Sequence, residues 1–225
     1  MQAAATITDA LAQVANPVDA DPMAAYMKQI APFLGVRAVA RRAVVRQWCR
    51  QNPITTQQEL LALAQDLQQQ PMRECHYAAA DVCAYFVKLL DASFITSHAQ
   101  TLLLHTPWWD TVDLWGSDVI NPICQRVDCT ATMWQWNQST NRWLIRASIQ
   151  HQRGRMAGYD VELVLALCRP HVADSEFFVA KAIGWALRDM AKYYPQPVRQ
   201  FLTTYPNLSQ VALREAQRGL VRSGR

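Results

Sequence analysis

Apolar residues in this chain recur every three or four positions and hardly anywhere every second one. The stretch TQQELLALAQDL (56–67) shows the pattern, with Leu60, Leu61, Leu63, Ala64 and Leu67 falling on one side of a helix. FITSHAQTLLL (94–104), TATMWQW (130–136), VELVLALC (161–168) and PVRQFLTTY (197–205) read the same way. Pro53, Pro71, Pro107, Asn141, Asp174 and Pro206 punctuate these runs where helices should stop or turn. Seven glycines in 225 residues are too few to soften this picture, and the abundant Ala, Leu, Gln and Arg reinforce it. The pattern predicts an all-α protein. The opening MQAAATITDALAQVA lacks a basic n-region and reads as a short helix or a loose tail over residues 1–20, not as a signal peptide.

Six further segments carry a period. RRAVVRQW, HYAAADVC, DTVDLWGS, IRASIQHQ, AKAIGWAL and REAQRGLV align on the pairs Arg42-Ala43, Tyr77-Ala78, Thr111-Val112, Arg146-Ala147, Lys181-Ala182 and Glu215-Ala216. Successive pairs lie 35, 34, 35, 35 and 34 residues apart, and the second member is always small or β-branched and apolar, as a close helix crossing requires. With one intervening helix per interval, the spacing predicts an α-solenoid of about six HEAT-like helical pairs, residues 21–225 forming one such domain. A solenoid curves, so the second helices would line a concave face. Chance spacing in an ordinary helical bundle is the alternative.

Charge sharpens the expectation. The net charge of +4 is mild, but its distribution is uneven. Arg37, Arg41, Arg42, Arg46 and Arg50 occupy fourteen residues without an acid, and Arg42, Arg46 and Arg50 share one helical side. Arg214, Arg218 and Arg222, then Arg225, repeat the arrangement at the C-terminus, with Arg146, Arg153, Arg155, Lys181 and Arg188 between. Unpaired rows on consecutive inner helices would make a basic track for a phosphate backbone, and a curved helical surface suits a duplex. A solvated face is the competing reading of each row. No glycine-rich phosphate loop, nucleophile elbow, zinc knuckle or helix-turn-helix pattern is present. The six cysteines form no C-x-x-C pair and read as reduced, which with the absence of a membrane-length apolar run suggests a cytoplasmic protein. No metal or cofactor is implied.

HTPWWDTVDLW (105–115) is the stretch with chemistry in it. Bulky rings belong in a core and carboxylates beside them do not. Either it is a core helix with acids turned to water, or rings and an acid there meet a ligand. With AAYMKQIAPFLGV (24–36), WWDTVD (108–113), NRWLIRASIQHQ (141–152) and EFFVAKAIGWALRDMAKYYPQPVRQF (176–201), the chain resembles the AlkD-type DNA alkylation repair glycosylases from about Asp21 to Gly219.

The resemblance implies a monomeric HEAT-like solenoid that excises cationic N3- and N7-alkylated purines, such as 3-methyladenine and 7-methylguanine, from duplex DNA in base excision repair. It implies Asp113 as the catalytic carboxylate, Trp109 and Trp185 as rings flanking the lesion's sugar, and Tyr26 as a third aromatic. Arg146 would hold the backbone, with Arg42, Arg46, Lys181, Arg188, Arg214 and Arg218 along the DNA track. The family is described as acting without extruding the base into a pocket. Asp110 is expected to face solvent or cap its helix, Trp108 and Trp115 to be core, and Trp134, Trp136 and Trp143 to pack between repeats. His151 reads as solvated, and the arginines of RGRMAGYD (153–160) have no role. A HEAT scaffold that binds DNA or protein without catalysis is the alternative; the two differ in what they need of Asp113.

Overall fold

The computed structural model describes the backbone of residues 2–223 and the side chains of residues 2–221, so Arg222's side chain and Arg225 lie outside the described part. Among the described residues fifteen α-helices follow one another: α1 Gln2–Gln13, α2 Pro17–Tyr26, α3 Ala38–Gln51, α4 Gln57–Gln68, α5 Arg73–Tyr85, α6 Ala92–Ser97, α7 Ala99–Leu103, α8 Trp109–Trp115, α9 Asn121–Cys124, α10 Thr130–Asn137, α11 Arg142–Gln150, α12 Val161–Cys168, α13 Phe177–Met190, α14 Pro195–Thr204 and α15 Gln210–Ser223. Among the described residues there is no strand, and no helix is long and apolar enough to cross a membrane. The helices stack as the pairs of an α-solenoid, in two compact units, Met1–Ile123 and Cys124–Arg225.

Local sequence explains the boundaries. Thr56 caps α4 by accepting from the Glu59 amide while the Glu59 carboxylate takes the Thr55 and Thr56 amides. Asn16 followed by Pro17 starts α2, Asn141 starts α11 and Asp160 starts α12. The N-terminal stretch is an ordered helix, its Ala4, Ile7 and Leu11 fully buried against α3, α4 and α5.

Of the six aligned small residues, Ala78, Val112, Ala147, Ala182 and Ala216 are buried, whereas Ala43 is exposed. The crossing of α13 and α15 shows why bulk is refused there. A Cβ on Gly184 would lie 2.8 Å from the Glu215 Cβ and 3.0 Å from the Ala212 Cα. One on Gly219 would lie 2.5 Å from the Arg188 carbonyl oxygen.

Two expectations are corrected in the second unit. Cys124 and Cys129 are paired in a disulfide, their Cα atoms 5.5 Å apart, because α9 ends at one and α10 is capped by the other. Cys49, Cys75, Cys83 and Cys168 are free and buried, and burial pushes their thiols up, to about 12 for Cys49 and Cys168. His151 is buried rather than solvated. Its Nδ1 lies 2.7 Å from the Ser148 carbonyl and must donate to it, leaving Nε2 to accept from the Gln152 amide at 3.2 Å. Gln152 Oε1 in turn accepts the Asp160 amide at 2.7 Å. The polar run His151–Gln152 thus joins the end of α11 to the cap of α12.

Two predictions follow from this packing. Gly219→Ala forces a methyl into backbone that cannot yield, and should cost about 1–3 kcal/mol in urea denaturation. His76 and His151 are both held neutral by burial, with pKa values lowered to about 4. Between roughly pH 6.5 and 4 the unfolded chain binds protons these imidazoles refuse, so folding free energy falls as pH is lowered through that window. Denaturation curves at pH 7.5, 6 and 5 measure the slope; a flat profile contradicts the buried neutral rings.

Candidate nucleic-acid interface and active site

In the first unit Trp109 and Asp113 lie on α8 and Tyr26 lies against it. Pro107 precedes the helix, and the Thr111 hydroxyl donates to the Trp108 carbonyl at 3.2 Å in its first turn. Trp109 and Asp113 follow one turn apart on one face, both half-buried. Tyr26, the last residue of α2 and 69% exposed, meets the Trp109 ring edge-on with centroids 6.1 Å apart. A π turn, Gly116–Ile120, continues directly from α8, and the Ser117 hydroxyl donates to the Asp113 carbonyl at 2.7 Å. Trp115 is core, as expected, at 1% exposure, while Trp108 is half-buried.

Asp110 is neither solvent-facing nor a cap. It is buried on the opposite side of α8's first turn, where its carboxylate accepts from Arg73 Nη2 at 2.6 Å and Nε at 3.1 Å and from the Tyr77 hydroxyl. Sequence reasoning missed it because the partners come from α5, 37 and 33 residues earlier. Arg73 is fully buried, and its remaining donors reach the Thr106 carbonyl at 2.8 Å, Thr111 Oγ1 at 3.0 Å and His76 Nδ1 at 3.3 Å. His76 Nε2 donates to the Gln70 carbonyl at 2.9 Å, so its Nδ1 is the acceptor for Arg73. Burial and the Asp110 charge push the Tyr77 phenol well above its ordinary value.

The arginine row of α3 is not unpaired, contrary to expectation. Arg37 bonds Asp19 at 2.8 Å, Arg41 is buried on Asp81 at 2.7 Å, and Arg42 reaches Asp118 at 3.5 Å and Asp81 at 3.8 Å. The acids arrive from other helices, which no window on the sequence reveals. Arg46 and Arg50 are exposed without an acidic partner among the described residues. Arg42, Arg46, Asp81, Tyr85 and Asp118 line a shallow recess of about 220 Å³.

The second unit assembles a different group around Trp185 of α13. Four cations surround this half-buried ring: Arg153 at 4.5 Å from the centroid, Arg146 and Lys181 at 5.2 Å and Arg188 at 5.6 Å. Each such contact contributes on the order of 0.5–2 kcal/mol. Arg153, given no role by the resemblance, holds the nearest position and also pairs with Asp189 at 3.5 Å. Arg146 is enclosed, 1% exposed, and donates to the Phe178 carbonyl at 2.8 Å. Trp185 Nε1 is buried without a hydrogen-bond partner.

Glu215 organises the rest. It accepts from Lys181 and Arg188 at 2.7 Å each and from Arg218 at 3.0 Å, so this row is paired too. Burial works against its charge, but the Lys181 hydrogen bond and the three cations outweigh it and hold the carboxyl below its ordinary value. Arg214 is exposed, its Nε on the Gln210 carbonyl at 3.1 Å. Trp136 and Trp143 are buried between helices, and Trp134 is half-buried. Among the described residues no group of three or more His, Cys, Asp or Glu could hold a metal ion.

Comparison with known proteins agrees with the helical fold. A solved structure described as a predicted DNA alkylation repair enzyme from Enterococcus faecalis superposes with a TM-score of 0.83 at 26% identity. The match covers 90% of this chain and 95% of that one. No curated protein matches. The profile of the DNA alkylation repair enzyme family spans residues 7–220, and the chain belongs to that family.

Proposed function

We propose that this protein is a DNA glycosylase that hydrolyses the N-glycosidic bond of N3- and N7-alkylated purines in duplex DNA. The observation that carries the reading is the α8 face: a half-buried carboxylate, Asp113, one turn from an indole that Tyr26 braces edge-on. Alkylation at N3 or N7 makes a purine cationic, and when its glycosidic bond breaks the electron pair passes to the ring and neutralises it. Positive charge then develops on the sugar, an oxocarbenium-like state. Asp113 stabilises that charge and accepts a proton from the water whose oxygen bonds to C1′. The products are a neutral free base and an abasic site. Trp109 contributes cation–π attraction to the same charge.

Because the leaving group is already activated, the enzyme has no need to grip or protonate the base, and extrusion into a pocket is unnecessary for the chemistry. This distinguishes it from base-flipping enzymes, which read the extruded base directly. The cationic group of the second unit suits the phosphodiester backbone. Arg153, Lys181 and Arg188 around the Trp185 ring place positive charge there for an anion. Arg146 shapes that group from within. Of the arginine rows, Arg46, Arg50 and Arg214 are exposed and can meet phosphates by charge alone.

Methylated duplex DNA incubated with the protein should yield 7-methylguanine and 3-methyladenine, detectable by chromatography. Asp113→Asn should reduce release at least a hundredfold while leaving duplex affinity within about threefold. Binding without any release by the wild type leaves only the scaffold reading. Arg46→Ala should lower the slope of log affinity against log salt by about 1 without changing the excision rate of the bound complex. An unchanged slope removes Arg46 from the phosphate contacts.

A further inference from the structure

The buried cluster beneath α8 has no part in the chemistry just described, yet it touches everything that positions it. Thr106, at the turn leading into α8, has φ +42°, a left-handed conformation that a β-branched residue holds only when its surroundings impose it. Arg73 imposes it, bonding the Thr106 carbonyl with one arm of a guanidinium whose other donors hold Asp110 and Thr111 in the first turn of α8. A planar fork bonded at several fixed angles sets the direction of a helix more sharply than apolar contacts, which allow sliding.

Tyr77 extends the connection to α2. Its hydroxyl donates to Asp110, while its ring packs with Ala24 and Phe33 in a cluster that also takes in Ala20, Met23, Met27 and Leu114. Arg41 and Arg73 lie over the same ring at 4.7 and 5.5 Å. One side chain therefore reaches both the helix ending in Tyr26 and the helix bearing Trp109 and Asp113. Asp110 and Leu114 are i and i+4, as are Trp109 and Asp113, so fixing the first face orients the second.

We propose that Arg73, Tyr77 and Asp110 form a positioning clasp that sets Trp109 and Asp113 against Tyr26, and that excision depends on the clasp as well as on Asp113 itself. This rests on the reading of Asp113 as the acting carboxylate. The three are positioning residues: none touches the DNA, and each acts through α8. A displacement of about 1 Å at reacting atoms is enough to slow chemistry on the order of a hundredfold.

The test is Tyr77→Phe, which keeps the ring and its packing and removes only the hydroxyl, with Asp110→Asn as the second variant should the first fold poorly. The full chain is labelled with 5-fluorotryptophan, and the Trp109 resonance is assigned by its loss in Trp109→Phe. Single-turnover excision should slow tenfold or more, with duplex affinity within about twofold and the Trp109 resonance shifted or broadened. Wild-type excision with an unmoved resonance overturns the clasp, as does a loss confined to affinity. If the wild type itself releases no base, the functional reading fails, and the Trp109 resonance alone then decides the clasp.

Discussion

An arginine shut away from water costs several kcal/mol unless an acid meets it with good geometry, and removing either partner leaves the other stranded. Arg73 and Asp110 stand in that relation, and the short helix α8 is oriented by it. The same kind of link recurs elsewhere in the chain. Arg41 is buried on Asp81, 40 residues on, and Lys181 reaches Glu215, 34 residues on. In a solenoid each helix touches only its neighbours. Apolar stripes hold such helices together but leave their rotation loosely specified. A bond between charged side chains one repeat apart admits one rotation. That rotation decides which residues of α8 and α13 face outward.

The same pairing changes the meaning of the positive charge. Read from composition, the arginine rows are a phosphate track; in the structure most of their members have acids delivered from the next helix. Arg42, Lys181, Arg188 and Arg218 lie among carboxylates, and Arg41 and Arg146 are buried. What faces solvent without an acid is sparser: Arg46, Arg50 and Arg214.

The architecture was legible in the sequence because the repeat is a steric requirement repeated at constant spacing. Ala78, Val112, Ala147, Ala182 and Ala216 are buried where the aligned helices pack, and the crossing of α13 and α15 has no room for a Cβ on Gly184 or Gly219. Trp109 and Asp113 were legible as neighbours because they belong to one helix, where i and i+4 fixes proximity. Asp110, Arg153 and His151 were misjudged for the opposite reason. Their surroundings come from Arg73 and Tyr77, from Trp185, and from Ser148 and Gln152 in folded arrangement, and burial depends on those neighbours rather than on residue type. The first repeat also slips: Ala43, which the alignment placed at a crossing, is exposed, and Arg41 takes the interior instead.

That slip bears on how chemistry and stability share positions. The first members of the aligned pairs, Tyr77, Thr111, Arg146, Lys181 and Glu215, recur one repeat apart in the sequence, and every one is engaged in a polar contact. Tyr77 and Thr111 serve the clasp under α8; Arg146, Lys181 and Glu215 serve the group around Trp185. A residue beside the crossing is held on several sides, so its rotamer is fixed by packing that the fold requires anyway. Preorganised groups need exactly such support, since stabilising a developing charge works only if donors and acceptors do not have to move. Building such supports into the repeat register therefore obtains rigidity from the solenoid itself, at Tyr77 and Thr111 beneath α8 and at Lys181 and Glu215 beside Trp185.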